Sequence, residues 1–391
     1  MDTPNVTTQL APAASLIKEL ASIADASTEE LQEICRIPDD LYKAAARAGL
    51  FRQLIVADLS GMPVTPLEWF QTGVDLARHE ASFGWVITQG AAEMGWVGAG
   101  GDQKWVEEML QDPLAVSATT IAGRGLLSIT GDRSRFGGRW AFNTGCQGAT
   151  WLGGITIVEG EVNKDGTPEV RMGLVPAERA EIVEDWNPSG LRGTGSHSII
   201  IPEQEIPTMW TFSPWSPTQN DRGPYRCLVG NGNWPIATSV AATQLGNARR
   251  ALDEARIIFT QKKSAPEFVL LATNAAVQRG LAEAEGLWHA AIASVERELE
   301  SMWAEANTHA ELSKSQRVRL HSANVTANQL SVRIVDTACE LTGTSSVARR
   351  HILSRCQRDA HALRGHISVN GTSMERNAKV SLGLLDMDGF V

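Results

Sequence analysis

Cysteine is scarce and badly placed for crosslinking. The five residues, Cys35, Cys146, Cys227, Cys339 and Cys356, are odd in number, far apart and form no C-x-x-C pair. This argues against a disulfide frame or a zinc site, so no metal is expected, and it suits a reducing cytoplasm. No apolar run reaches 18 residues, so nothing reads as a membrane span. The opening stretch MDTPNVTTQLAPAAS has neither a basic region nor an apolar core, and it carries no signal-peptide pattern. Basic residues are the minority: 35 Lys and Arg stand against 45 Asp and Glu, a net charge of −10. That balance repels phosphate backbones and anionic membranes, so neither is an expected partner.

Nucleotide motifs are missing too, despite 35 glycines. GAGGDQ, GRGLLS, GTGSHS and GNGNWP each begin G-x-G, yet none completes G-x-G-x-x-G between a strand and a helix, and no Walker lysine motif occurs. A dinucleotide module for NAD(P)H is therefore not expected. No G-x-S-x-G elbow supports a Ser-His-Asp hydrolase. Tyrosine is rare, two residues against twelve tryptophans. Packing accounts for so many indoles, and so does an aromatic-lined pocket.

What is present divides into three. At 391 residues the chain exceeds one ordinary core, and 43% hydrophobic with 20% charged residues reads as a globular protein. Residues 1–111 read as helical. PDDLYKAAARAGL has Pro38 near a first turn and Gly49 as a stop, and PLEWFQTGVDLARHEA and SFGWVITQGAAEMGWVGAGG follow. In the last of these Trp85, Gln89, Ala92 and Trp96 share one face. Residues 112–228 hold short runs punctuated by Gly, Asn, Asp and Pro: LLSITGD, RWAFNTG, GGITIVEG, VRMGLVP and SIIIPEQEIP. They predict a small antiparallel β domain. Residues 229–391 predict long Ala-rich helices: ATSVAATQLGNARRALDEARIIFTQ, EFVLLATNAAVQRGLAEAEGLWHAAIASVERELE, QRVRLHSANVTANQLSVRIVDTACELTG and ARRHILSRCQRDAHALRGHIS. Such helices argue for an antiparallel four-helix bundle. The fold class is α+β, in the order helices, sheet, helices.

Three stretches could carry chemistry. GLRGTGSHSIIIPEQEIP, residues 190–207, spends three glycines and an arginine before a strand fenced by Pro202 and Pro207. A phosphate cradle and a tight turn both fit it. In GGRWAFNTGCQGATWLGG, Thr144 precedes Gly145 at a strand end, either a plain β-turn or a hydroxyl placed for close approach to a planar ligand. His361 and His366, near Asp359, lie five apart, which on one helix separates them by about 140°. They cannot serve one site equally, so they are structural histidines or one of them handles a proton.

ASFGW (81–85), GGRWAFNTGCQGATW (137–151), WNPSGLRGTGSHSIIIPEQEIP (186–207) and LSRCQRDAHALRGH (353–366) together resemble the acyl-CoA dehydrogenase fold. The likeness is to its oxygenase branch, the group D two-component flavin-dependent monooxygenases. The resemblance implies an oxygenase component using reduced flavin (FADH2 or FMNH2) and O2, through a C4a-hydroperoxide, to hydroxylate an aromatic or indole-like small molecule. A separate NAD(P)H:flavin reductase and a homotetramer go with it. It gives the catalytic roles to Thr144, beside flavin N5, and to His366, as proton donor or acceptor. Trp85, Thr119, Thr120, Ile121 and Asn143 are expected at the flavin ring, and Thr344 and Ser345, within GTSSV, at a flavin-contacting turn. Lys262 or Lys263 stands where the family has a phosphate-binding arginine; Lys263 is taken as the cofactor ligand. The family's usual N5 residue is serine, so Thr144 adds a methyl. The glutamate base of true dehydrogenases has no counterpart, since SVNGTSMERNAK offers only Glu375. Two alternatives remain: an oxidase or N-oxygenase acting on an amine or nitro compound, and a non-catalytic flavin-binding homologue.

Overall fold

The computed structural model describes residues 14–163, 166–216, 220–265, 268–309 and 311–385. The first thirteen residues, part of the stretch without a signal-peptide pattern, lie outside them. Six helices lead: α1 (Ala14–Ala26), α2 (Thr28–Ile34), α3 (Asp39–Arg47), α4 (Pro66–His79), α5 (Ala81–Gly100) and α6 (Gln103–Leu110). Local chemistry starts and stops them. Thr65 and Glu68 form a reciprocal capping box ahead of α4, with Pro66 in its first turn. Pro38 immediately precedes α3, and Gly49 turns the chain after it with φ 76°. Helix α5 is buried from Ala81 through Ala99, as suits a helix apolar on every side.

Eight strands follow between Ser117 and Phe212: β1 (Ser117–Ala118), β2 (Gly123–Thr130), β3 (Arg133–Asn143), β4 (Trp151–Val162), β5 (Pro168–Pro176), β6 (Glu181–Val183), β7 (His197–Pro207) and β8 (Thr211–Phe212). They form one sheet in the order β6-β7-β3-β2-β4-β5-β8, with β1 beside β4. Strand β4 runs parallel to β1 and β2, and the other pairs are antiparallel. Pro202 does not end its strand, as its position in the sequence suggests. Strand β7 continues through it at an irregularity opposite Phe136 to Gly138, where a missing N–H is tolerated.

The rest is α7 (Trp234–Gln261), α8 (Ala275–Ala306), α9 (Lys314–Thr342), α10 (Ile352–Leu363) and α11 (Gly371–Ser381). Two of the boundaries that differ from the sequence reading have a visible cause. Helix α8 begins only at Ala275, because Asn274 caps the amides of Ala276 and Val277. Helix α10 ends at Leu363, short of His366. Asn328 of α9 donates to the Arg364 and Val369 carbonyls, and the His321 Nε2 pairs with the Ser368 carbonyl. Those side chains satisfy backbone groups that a longer helix would pair internally. One hydrophobic core joins both helical segments, from Phe51, Trp69 and Ile87 to Leu245, Leu299 and Leu320. Among the described residues, no helix is long and apolar enough to cross a membrane.

The GLRGTG segment is the joint between sheet and bundle. A Cβ on Gly190 would lie 2.2 Å from the Arg358 carbonyl oxygen, and Gly195 sits at φ 54°. Between them the Leu191 N–H donates to the buried Asp359 Oδ1 at 2.6 Å, and Arg192 donates to the carbonyls of Gln32 and Pro188. The arginine's hydrogen bonds here clamp backbone. Gly190→Ala is expected to cost about 3 kcal/mol, because backbone and not a flexible side chain must move. Urea unfolding of the two proteins checks this.

Candidate active site

Helix α5, the sheet end of β3, the 186–196 segment and the turn after α10 enclose a cavity of about 450 Å³. Its walls are apolar: Trp85, Trp96, Ile121, Leu191 and Ile236, with Phe142 and Trp186 packed edge to face at 6.0 Å. A bulge between Trp140 and Asn143 in the β3–β7 pairing turns Phe142 outward at φ 61° and Asn143 inward. Of the residues expected at the ring, Trp85, Thr119, Thr120, Ile121, Thr144 and His366 line this cavity.

Asn143 does not. It is buried in the sheet beside the Ala118 and Gly153 carbonyls, to which its amide nitrogen donates at 3.1 and 3.2 Å once the amide is turned to face them. Lys263, Thr344 and Ser345 are absent from the lining as well. Lys263 bridges to Leu270, while the Lys262 ammonium donates to the Thr342 carbonyl and to Ser345 Oγ at 3.0 Å. Ser345 is thus tied to Lys262, at the loop where α7 ends.

Four side chains form a directed chain of hydrogen bonds. Thr194 has one hydroxyl proton, and the Leu191 carbonyl takes it at 2.9 Å. Ser196 must then donate to Thr194 at 2.8 Å, and Thr144 to Ser196 at 3.0 Å. The Trp85 indole N–H fills one Thr144 lone pair at 3.1 Å. Thr144 therefore offers the cavity an acceptor lone pair and no proton.

His366 packs edge-on against Trp85, 5.4 Å between ring centres. Its Nδ1 accepts from the Ser368 N–H at 3.3 Å, which leaves the neutral ring's proton on Nε2. Burial pushes its pKa down to about 4, so the ring is neutral at pH 7. The free-histidine value near 6.5 does not hold here, and donation from Nε2 is the natural role. His361 lies on α10 as expected but outside the cavity. It is exposed and pairs with Asp336 at 2.9 Å.

The sequence reading passed over Glu93. This cavity-lining carboxylate accepts from Gln89 Nε2 at 3.0 Å and from the Thr119 N–H at 2.7 Å. Burial pushes its pKa up to about 8, the two hydrogen bonds only partly opposing it. Its signal was available: it is the single charge in twenty residues of α5. The helical face read through Ala92 actually presents Trp85, Gln89, Glu93 and Trp96. Two titratable groups with pKa values pushed in opposite directions share one apolar chamber, a pattern typical of acid–base sites.

The chamber fits a planar heterocycle such as a flavin ring. It has aromatic and aliphatic walls, and three buried polar atoms of lining residues, Trp96 Nε1, Gln89 Oε1 and Asn233 Oδ1, have no protein partner. A larger open cleft of about 870 Å³ beside β8 is lined by no histidine or tryptophan among the described residues, and its Arg171 donates to the Thr211 carbonyl while its Nε is buried without a partner.

Comparison with known proteins agrees. Residues 238–371 match the acyl-CoA dehydrogenase, C-terminal domain, family. The chain is 24% identical over 357 residues to an indole-3-acetate monooxygenase of Acinetobacter baumannii, covering 91% of this chain and 90% of that protein. It is 27% identical over 376 residues to the flavin-dependent monooxygenase oxygenase subunit HsaA of Mycobacterium tuberculosis, covering 91% and 90%. In three dimensions it is similar to XiaF from Streptomyces, solved with FADH2 and glycerol, at a TM-score of 0.85 and 21% identity over 97% and 96% of the two chains. The chain has the acyl-CoA dehydrogenase-like fold, and the relatives it resembles over most of its length are named as flavin-dependent monooxygenases.

Proposed function

We propose that the protein binds reduced flavin in the α5 cavity and hydroxylates a small aromatic or indole-like ring held beside it. Reduced flavin, when bound, supplies the two electrons with which O2 is split between the product's new hydroxyl and water. The protein's part is to select, orient, keep dry and move protons. The observation that carries this reading is the directed Thr194–Ser196–Thr144 chain inside an apolar chamber that also holds Glu93 and His366.

Thr144's free lone pair favours a ligand presenting an N–H and disfavours one presenting a bare nitrogen. Reduced flavin carries that N–H at N5 and oxidised flavin does not. Trp85, Thr119, Thr120 and Ile121 would hold the ring, and Trp96, Trp186 and Ile236 the substrate. The Glu93 carboxylate keeps acceptor capacity beyond its two present bonds, enough to take a substrate O–H or N–H. His366 Nε2–H would donate to oxygen as it accumulates charge.

The wild-type chain is expected to bind reduced flavin about tenfold or more tightly than oxidised, the worth of one buried, well-aimed hydrogen bond. Thr194→Val removes the proton sink at Leu191 and should narrow the preference to about threefold, by strengthening oxidised binding. Anaerobic titrations of both redox forms measure it. An unchanged preference would take the hydroxyl chain out of the account.

Reduction falls to a separate NAD(P)H:flavin reductase. A homotetramer is supported by exposed apolar side chains where α7 and α9 end: Phe268, Val269 and Val347. Lys263, Thr344 and Ser345 lie in the same loops, so as flavin ligands they would serve a neighbouring copy. The five free cysteines suit the cytoplasm. The functional test is a panel of phenols and indoles with an unrelated flavin reductase. A product heavier by one oxygen supports the proposal, whereas turnover of a thioester with an artificial electron acceptor would replace it with dehydrogenation.

A further inference from the structure

We infer that a second pocket, behind the Gly190 turn and outside the oxygenation cavity, binds a phosphate group. The pocket measures about 290 Å³ and gathers Arg192, Arg349, Arg350, Arg355 and Arg358. Among the described residues its only acidic lining residues are Glu29 and Glu33, on a chain whose net charge is −10. Five guanidinium groups gathered so repel one another unless something negative sits among them.

The arginines are not equally occupied. Arg192 is spent on the carbonyls of Gln32 and Pro188 and on Asn187. Arg358 donates to Ser354 Oγ and to the Arg349 carbonyl. The side chains of Arg349, Arg350 and Arg355 have no hydrogen bond or ion pair among the described residues, and neither Glu29 nor Glu33 pairs with them. Glu80, Asp359 and Asp25 act on Arg355 at longer range and keep it charged. A sixth donor points to the same conclusion: Gln32, in the lining, has its amide nitrogen buried without an acceptor. What is missing is a compact ligand with several acceptor oxygens and more than one negative charge. Phosphate meets that description, and guanidinium forks match its geometry. The volume accommodates phosphate or pyrophosphate and lies just below the range of pockets that enclose larger ligands.

Occupation would tie α2, through Gln32, to the start of α10. Arg192 belongs to the turn whose Gly190 and Leu191 line the oxygenation cavity, so the two sites share a wall. The phosphate could be free or could belong to a flavin.

The test uses the full chain with inorganic phosphate and pyrophosphate, by calorimetry and thermal unfolding, against sodium chloride at matched ionic strength. Saturable binding with a raised Tm is expected. Arg349→Gln/Arg350→Gln, both on exposed residues, should weaken pyrophosphate about tenfold or more and keep or raise the ligand-free Tm, since two mutually repelling charges are removed. Arg355→Gln should weaken it further. Competition by pyrophosphate against FMN but not riboflavin would identify the flavin's phosphate as the natural occupant, and no competition would identify a free anion. A Tm shift matched by sodium chloride, or binding unaltered in the double variant, would overturn the site.

Discussion

Glu93→Gln is expected to lower hydroxylation about 10²–10⁴-fold, the range of a lost general base. The fold should survive it. Gln89 Oε1 is buried without a partner, so a turned Gln89 amide can accept from the side-chain nitrogen that the substitution introduces. The pH dependence gives the readout that a structural role would not. With a pKa near 8, Glu93 is mostly protonated at pH 7, so wild-type kcat should climb as pH rises through about 8. The variant's profile should be flat there. Stability should run the other way. The folded carboxyl keeps a proton that the unfolded chain releases above about pH 4.5, so its stabilising contribution is complete below that pH and lost as pH rises through 8. Wild-type Tm should therefore fall more between pH 5 and 8.5 than that of Glu93→Gln. A variant with the wild-type kcat profile would leave Glu93 a packing residue.

His366→Ala should cost about 10²–10³-fold in product formation, if the neutral ring's Nε2–H is the hydrogen-bond donor to oxygen as it accumulates charge. His361→Ala, at an exposed ring paired with Asp336, should be nearly silent. The two are best separated by coupling: in His366→Ala a larger share of the O2 consumed should leave as hydrogen peroxide. Acid should not rescue the wild-type step near pH 6, because burial holds the ring neutral down to about pH 4. The same shift makes the unfolded chain bind a proton that the folded chain refuses, so this contribution to stability falls as pH drops from about 6.5 to 4. Equal, small losses in both variants would remove the proposed donor.

How much of this was legible in the sequence depended on range. Alternating runs and turn residues gave the longer strands, whereas β1, β6 and β8, two or three residues each, are too short to show a period. The helix placing His361 and His366 about 140° apart does not exist as such: α10 ends at Leu363, held there by Asn328 and His321 from another helix. No local signal carries that. Resemblance to a family brought Trp85, Thr119 to Ile121, Thr144 and His366 to attention, and they share a cavity here. It also brought Asn143, which faces the sheet because a bulge reverses the alternation. The chain that orients Thr144's proton begins about fifty residues away, at Leu191 and Thr194, and only folding brings those hydroxyls into line. Glu93 was there to be read. A lone charge in an apolar helix is costly unless it is used.

The most direct test is a single turnover without any reductase or NADH. The protein is mixed anaerobically with chemically reduced flavin and an aromatic substrate found in the panel, then exposed to ¹⁸O2, and product and peroxide are quantified. One ¹⁸O in each product molecule is expected, with close to one product per reduced flavin and little peroxide. Product lacking the label, or unchanged substrate with stoichiometric peroxide, would contradict it.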